Sequence, residues 1–518
     1  MRRKPHVTRS LAALVAILMG ISPFVEAAAA STEGPTTVET KTAPNPPANQ
    51  IHSEFLGSLT FEDGYATPDT LKKLYDQLDF QRATQSYMRN LLGLNMYGFR
   101  LGLARDLGVK TSNELAIFRA TAVALMLTPN SETLYGTTFL ALDHDGPTVV
   151  EVGPGVLGLV NDMWMRPVAD MGLAGPDEGK GGKYLFVPPA YTGALPQSGY
   201  FIVHQQTYGA WVLLRGLLDP KGNEAPAQAL LRQTRIYPYD KRDAAPTMTF
   251  VDATGKPFDT TTPGDIRAFE WLSDLVQHEY PQALDPDAAG MLQTIGIDRD
   301  KPFKPDDRMH RILDEAAHAG SYMAQAVSFA PRDPAPVREG SYWQAGLTGY
   351  PTFADDRATL WDPMIRMGWF ATGAAKAMNA PKPGTGSQYV WTYFDNGGQW
   401  LRGEISYRLH LPPNPPAKNF WSILVYDNWT RAIHANGQKV AGKNSYDRAL
   451  AKNADGSIDI YFGPKAPLGK EANWIRTVPG KGWFTIFRLY GPLQAWFDRA
   501  WVPDDIVPLG DLAGDIAH

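Results

Sequence analysis

NWIRTVPGKGWFTIFRLYGPLQAWFDRAWVP, Asn473 to Pro503, is the stretch on which the reading of this chain turns. Inside it, Phe484 to Leu489 is a short apolar run of β-preferring residues with Gly and Pro nearby, the pattern of a strand. The segment before it, DGSIDIYFGP from Asp455 to Pro464, reads as a second strand flanked by turn residues. Gln388 to Asp395, Gly403 to Leu411, Phe420 to Tyr426 and Ile458 to Phe462 complete a β-rich block that runs from Ser387 to about Pro508.

A second β-rich block lies upstream. Leu134–Leu142, Pro147–Val152, Lys183–Val187, Tyr200–His204 and Ala210–Leu218 read as strands, and no helix-length apolar pattern alternates with them. A parallel βαβ sheet is therefore disfavoured, and an antiparallel sandwich fits. Helical spacing appears in Asp69 to Leu92, ending near Gly93. It returns in Ile266–Val276, in Met309–Ala317 and in Leu360–Met378, with a Trp/Tyr-containing loop between Pro331 and Tyr350. The resulting order is a signal peptide at 1–30, a flexible linker at 31–68, a helical lead-in at 69–110 and a β-sandwich at 111–238. A helical insert follows at 239–386, and a second β-sandwich at 387–510. The fold class expected is mainly β with a helical insert (α+β): two antiparallel sandwiches bridged and flanked by helices.

Two further stretches stand out in the upstream block: TPNSETLY, Thr128 to Tyr135, and FLALDHDGPTVVEVGP, Phe139 to Pro154. Together with the C-terminal stretch they resemble a bacterial two-domain family, the domain-of-unknown-function 1254/1214 pair, over roughly Thr111 to Pro503. Glu132 stands where that family usually has Asp, and NDMWMRPVADMG, Asn161 to Gly172, lacks the family's tyrosines. The resemblance implies jelly-roll-like sandwich domains with helices packed against them, resembling viral capsid folds in outline. It implies no reaction, and fold does not fix function.

Arg2, Arg3, Lys4 and Arg9 precede an apolar run from Leu11 to Ile21, and Ala27 to Ala30 supply small residues for cleavage. The expectation is export, to the periplasm or the medium, with cleavage near Ala30 and no stable membrane insertion afterwards. The chain has 0 Cys, which excludes disulfides, cysteine nucleophiles and thiolate metal sites. Its formal charge is -5, and losing the basic leader makes it more acidic, so nucleic acid is not an expected partner.

No GxSxG elbow, Walker loop or GxGxxG motif is present, so no cofactor is assigned. The histidines fall in no metal-ligand spacing stronger than His310, Asp314 and His318 on one helical face, and no metal site is assigned. His144 reads as part of a hairpin turn. In TPNSETLY, Pro129 should hold Thr128 extended, and Asn130, Ser131 and Thr133 can cap the backbone. The functional reading of the same stretch makes Glu132 an acid or base and Tyr135 a donor, with Asp427 as a further carboxylate. Ligand contacts are expected from Asn130, His204, Tyr393, Asp395 and Trp429. Trp and Tyr beside Asp and Asn suit a small-molecule or glycan ligand. Two functions stay open: a ligand-binding or assembly protein, self-associating in the latter case, and a hydrolase using carboxylate and tyrosine groups at the sandwich rim.

Overall fold

The structure is a computed structural model that describes residues 49–219, 222–346, 353–379 and 382–510. The signal-peptide segment lies outside the described residues. Among the described residues no helix is long and apolar enough to cross a membrane.

The chain divides into two compact units at Thr70/Leu71. In the first, Gln50–Ser53, Gly57–Glu62 and Tyr65–Ala66 form a three-stranded antiparallel sheet. The sequence reading places a flexible linker here. Pairing prevails because Gly57 and Gly64 take the positive φ that tight turns require, and the hydroxyl of Thr70 accepts from the backbone N–H of Thr60 at 2.8 Å.

The second unit holds both sandwiches. Upstream, a six-stranded sheet runs in the order Thr249–Asp252, Glu114–Arg119, Thr133–Ala141, Gly209–Leu217, Leu157–Asp162, Pro167–Gly172. It shares a core with a four-stranded sheet ordered Phe201–His204, Gly182–Val187, Thr148–Val152, Arg235–Pro238. Downstream, a five-stranded sheet runs Gln344–Ala345, Ser387–Thr392, Trp483–Pro492, Ala417–Asp427, Gly442–Asn444. It shares a core with Trp474–Arg476, Ile458–Gly463, Tyr407–Leu411 and Val507–Pro508. Within these four sheets the interior pairings are antiparallel and the parallel ones join Thr249–Asp252, Phe201–His204 and Trp474–Arg476, all edge strands; a separate two-stranded parallel pair joins Ala124–Leu125 to Phe258–Asp259. Over the described residues the result is a mixed α+β fold without a barrel.

A third, larger core explains the unusual strand composition. The strand Trp483–Pro492 is buried at every position. Side chains alternate across a strand, and here Trp483, Phe487 and Leu489 enter the downstream sandwich while Phe484 and Ile486 enter the central core. Strand Gly209–Leu217 does the same: Val212 and Leu214 face the upstream sandwich, Trp211 and Leu213 the central core. Strands apolar on both faces are strands covered on both faces. The helices supply the cover.

The principal helices are Pro68–Arg89, Leu91–Asp106, Arg267–His278, Asp307–Phe329 and Trp361–Phe370. Asp306 caps Asp307–Phe329, its carboxylate accepting from the backbone N–H of Met309 at 2.7 Å. Within the helical lead-in, helix continues past Gly93, where the apolar spacing stops. Its second helix runs through Gly98 and Gly102, where a Cβ would sit 2.8 Å from the carbonyl oxygen of Thr260 and 2.4 Å from that of Asp259. Glycine there serves close approach rather than termination. His144 lies in a single helical turn, Leu142–Asp145, that carries the chain from the six-stranded to the four-stranded sheet, so it marks a corner and not a hairpin.

His434 is buried with neither ring nitrogen hydrogen-bonded. Burial holds its pKa below the ordinary 6.5; the nearby Lys481 charge adds to this and Asp427 opposes it. The folded state thus binds the proton less readily than the unfolded one. The stability this supports is full above the unfolded value and is lost as pH falls through the depressed folded value. The thermal midpoint should fall between about pH 7 and pH 5, and His434→Met should flatten that slope. A variant with the wild-type slope would show that other groups set it.

Candidate functional site

Where the two sandwiches meet, the TPNSETLY stretch is bonded to the helix Trp361–Phe370 and to the downstream domain through Thr128, Pro129, Asn130 and Glu132. The backbone N–H of Thr128 donates to the carbonyl of Arg431 at 2.8 Å, its hydroxyl to that of Phe370 at 2.6 Å, and its carbonyl accepts from Arg488 Nη2 at 2.9 Å. The carbonyl of Pro129 accepts from the Tyr426 hydroxyl at 2.7 Å. The amide of Asn130 donates to the Tyr490 hydroxyl at 2.5 Å. Glu132 Oε2 accepts from the Asn444 amide at 2.7 Å.

These bonds overrule a local preference. Thr128 precedes a proline and was expected to be extended, yet its φ is +39°. For a β-branched residue that is a true outlier, of the kind that costs on the order of 1–3 kcal/mol and persists only when its surroundings over-determine it. Three hydrogen bonds do so here.

Thr128 and Asn130 are part of the wall of a cavity of about 80 Å³, several times the roughly 10–15 Å³ that one water needs. The upstream sheet contributes Tyr135, Trp211, Leu213 and Arg215; the downstream sheet contributes Tyr389, Trp391, Ile486, Arg488 and Tyr490. The end of helix Trp361–Phe370 closes the remaining side, with Phe370 and Ala371 on the wall. The strand residues are positioned by alternation along their strands. Residues 135, 211, 213 and 215 share one face of the upstream sheet, and 486, 488 and 490 one face of the downstream sheet.

The polar groups in this cavity are unusual. Arg488 is 3% exposed; its Nη1 donates to the Tyr426 hydroxyl at 2.6 Å, and its guanidinium lies 5.7 Å from the Tyr389 ring centre. Arg215 lies 5.7 Å over the Tyr135 ring and is hydrogen-bonded to the Tyr389 side chain, with Tyr490 also beside it. Its Nε is buried and has no hydrogen-bond partner. Among the described residues neither guanidinium has a carboxylate within 4.0 Å. Burial pushes the hydroxyls of Tyr426 and Tyr490 well above the ordinary phenol range, so both are neutral near pH 7.

Asn130 and Tyr135 therefore stand together at the cavity, with the Tyr135 hydroxyl accepting from the backbone N–H of Asn130 at 2.9 Å. Glu132 is buried beside them but is engaged by Ser131 Oγ at 2.9 Å as well as by Asn444. Asp427 accepts from the backbone N–H groups of Trp429 and Thr430 at 3.0 and 2.8 Å, and Asp395 from those of Gly397 and Gln399 at 2.9 Å. Both cap turns away from the cavity. Tyr393 is buried and lines a separate depression of about 560 Å³ with Trp400. Trp429 packs between Tyr322 and Trp369, with centroids 5.5 and 6.1 Å away. His204 is exposed at the end of an edge strand. No cluster able to hold a metal is found among the described residues.

Sequence reasoning missed Arg215, Arg488 and Tyr389. The signal was available: each arginine is a lone charge in an otherwise apolar strand, WVLLRGL and WFTIFRLYGP.

Removing the Tyr490 hydroxyl leaves the buried Asn130 amide without its acceptor. Tyr490→Phe should therefore lower unfolding stability in denaturant by about 1–3 kcal/mol, and a loss near zero would mean this bond contributes little to holding the domains together.

The comparisons with known proteins follow these boundaries. Residues 112–238 match the family model described as "Protein of unknown function (DUF1254)", and residues 386–494 that described as "Protein of unknown function (DUF1214)". No curated protein matches the chain. Among solved structures, the VPA0106 protein from Vibrio parahaemolyticus is similar at 18% identity and a TM-score of 0.52, over 83% of this chain and 100% of that one. An uncharacterised protein from Burkholderia cenocepacia is 14% identical with a TM-score of 0.39, over 85% of this chain and 97% of that one. The first likeness concerns the fold alone. A strained Thr-Pro-Asn turn thus bonds the region that matches the DUF1254 model to the region that matches the DUF1214 model, both described as of unknown function.

Proposed function

We propose that this is an exported binding protein that holds a small molecule in the cavity between its two sandwich domains. One observation carries the reading: polar groups from both domains and an apolar wall converge on one cavity, and backbone strain at Thr128 is stored beside it. Pockets of this composition, mostly apolar with a few fixed polar groups, are the common form of small-molecule sites.

The carboxylates proposed for hydrolysis support binding rather than turnover. A general acid or base must reach the proton it moves. Glu132 spends its oxygens on Ser131 and Asn444, and Asp427 spends Oδ1 on the turn that follows it. The hydrolase reading would need a carboxylate facing the cavity.

A fragment library screened by thermal shift tests the site. Compounds that stabilise the wild type should fail to stabilise Ala371→Phe, which places a ring into the cavity from its wall. Equal stabilisation of both would move the site elsewhere. Export has its own test, motivated by the basic start, the apolar run and Ala27 to Ala30. The intact mass of protein recovered from the periplasm or medium should correspond to a start near Ser31. A chain retaining Met1 in that fraction would overturn it.

A further inference from the structure

We infer that the ligand of the cavity between the domains is an organic monocarboxylate with an apolar body, its carboxylate held between Arg215 and Arg488. This rests on the cavity being the binding site. The starting point is an imbalance of charge. Arginine stays protonated at any pH a protein experiences, and a charge taken out of water requires compensation by an opposite charge or by a full set of hydrogen bonds. Arg488 is nearly fully buried and Arg215 carries a buried, unpartnered Nε, yet neither has a carboxylate within 4.0 Å among the described residues. The internal segments outside the described residues, 220–221, 347–352 and 380–381, contain no Asp or Glu in sequence.

The surroundings offer no other complete source of negative charge. The Tyr426 and Tyr490 hydroxyls stay neutral, as argued above. Asp170 lines a small adjoining cavity that Arg215 also reaches, but it lies beyond 4.0 Å and accepts from the backbone N–H of Ala377 at 3.1 Å. The C-terminal end of helix Trp361–Phe370 presents partial negative charge here. Its Trp369 and Phe370 carbonyls are already taken by Arg431 Nε at 3.1 Å and the Thr128 hydroxyl at 2.6 Å.

The rest of the cavity decides the kind of anion. Trp211, Leu213, Ile486 and Phe370 make much of its wall apolar. A guanidinium fork matches a carboxylate in bidentate geometry. A phosphate dianion would suit two cations in charge, but it resists dehydration far more strongly and has no apolar body to place against Trp211 and Leu213. A monocarboxylate satisfies the fork, and its hydrocarbon part fills the apolar side.

The test is calorimetric titration of the full mature chain, in buffer low in chloride, with benzoate, hexanoate, benzyl alcohol and inorganic phosphate. A carboxylate should bind about tenfold or more tighter than benzyl alcohol. Arg215→Gln and Arg488→Gln should each lose about tenfold or more of that affinity while benzyl alcohol is unaffected. Benzyl alcohol binding as tightly as benzoate, with both abolished in Ala371→Phe, would overturn the inference and leave the cavity as the site. Phosphate binding tighter than either carboxylate would overturn the ligand class. Absence of carboxylate binding in a protein with an intact melting transition would overturn the inference, whatever the fragment screen shows about the cavity. Arg488 also holds Thr128 and Tyr426, so if its variant does not fold the decision passes to Arg215→Gln.

Discussion

Arg488 is the hinge of this architecture. Its side chain leaves the middle of a strand buried on both faces, and its guanidinium donates to the carbonyl of Thr128 in the other domain and to the Tyr426 hydroxyl in its own. Tyr426 in turn donates to the carbonyl of Pro129. A turn that local sterics would extend is held instead at positive φ, and the polypeptide that follows delivers Asn130 and Tyr135 to the cavity. Each bond is worth only about 0.5–1.5 kcal/mol net, rising to about 1.5–3 where the donor is charged. Acting on one turn they exceed its strain.

The same arrangement accounts for the depth of the fold. A sheet with one covered face would show alternating strands. Here the six-stranded and five-stranded sheets each cover a sandwich core with one face and the central core with the other. The helices fill the space between them. Arg488, buried in such a strand, has no route to solvent, so its partners must be built around it. Tyrosines and backbone carbonyls supply hydrogen bonds here, but among the described residues no acid lies within 4.0 Å of Arg215 or Arg488 to supply the opposite charge.

The strands were legible in the sequence because they are short, apolar and bounded by Gly and Pro: Phe484–Leu489 and Leu134–Leu142 fall inside or within a residue of observed strands. Glu114–Arg119 and Pro167–Gly172 escaped notice, the latter because NDMWMRPVADMG mixes proline and acids into the pattern. The helical spacing of Asp69–Leu92 corresponds to helix Pro68–Arg89, while helix Leu91–Asp106 went unread; its Gly98 and Gly102 lie against the backbone of Thr260 and Asp259. That contact is tertiary and no local window contains it.

The site was legible only in part, for a related reason. TPNSETLY drew attention through its density of hydrogen-bonding groups, and Asn130 and Tyr135 are indeed at the cavity. Glu132 drew the same attention as a carboxylate, but its charge is directed to Asn444, 312 positions away in sequence. Asp395 and Asp427 share a different fate, as Asx-type caps of the turns that follow them. A lone acid near a turn is thus weak grounds for a site. A lone arginine amid apolar strand residues is stronger, because the strand buries it and burial forces the question of what neutralises it. Arg215 and Arg488 pose that question from opposite sheets, across one cavity whose remaining walls are largely apolar. The chemistry of this protein is therefore to be sought in what its cations lack, since the acids near them are already engaged.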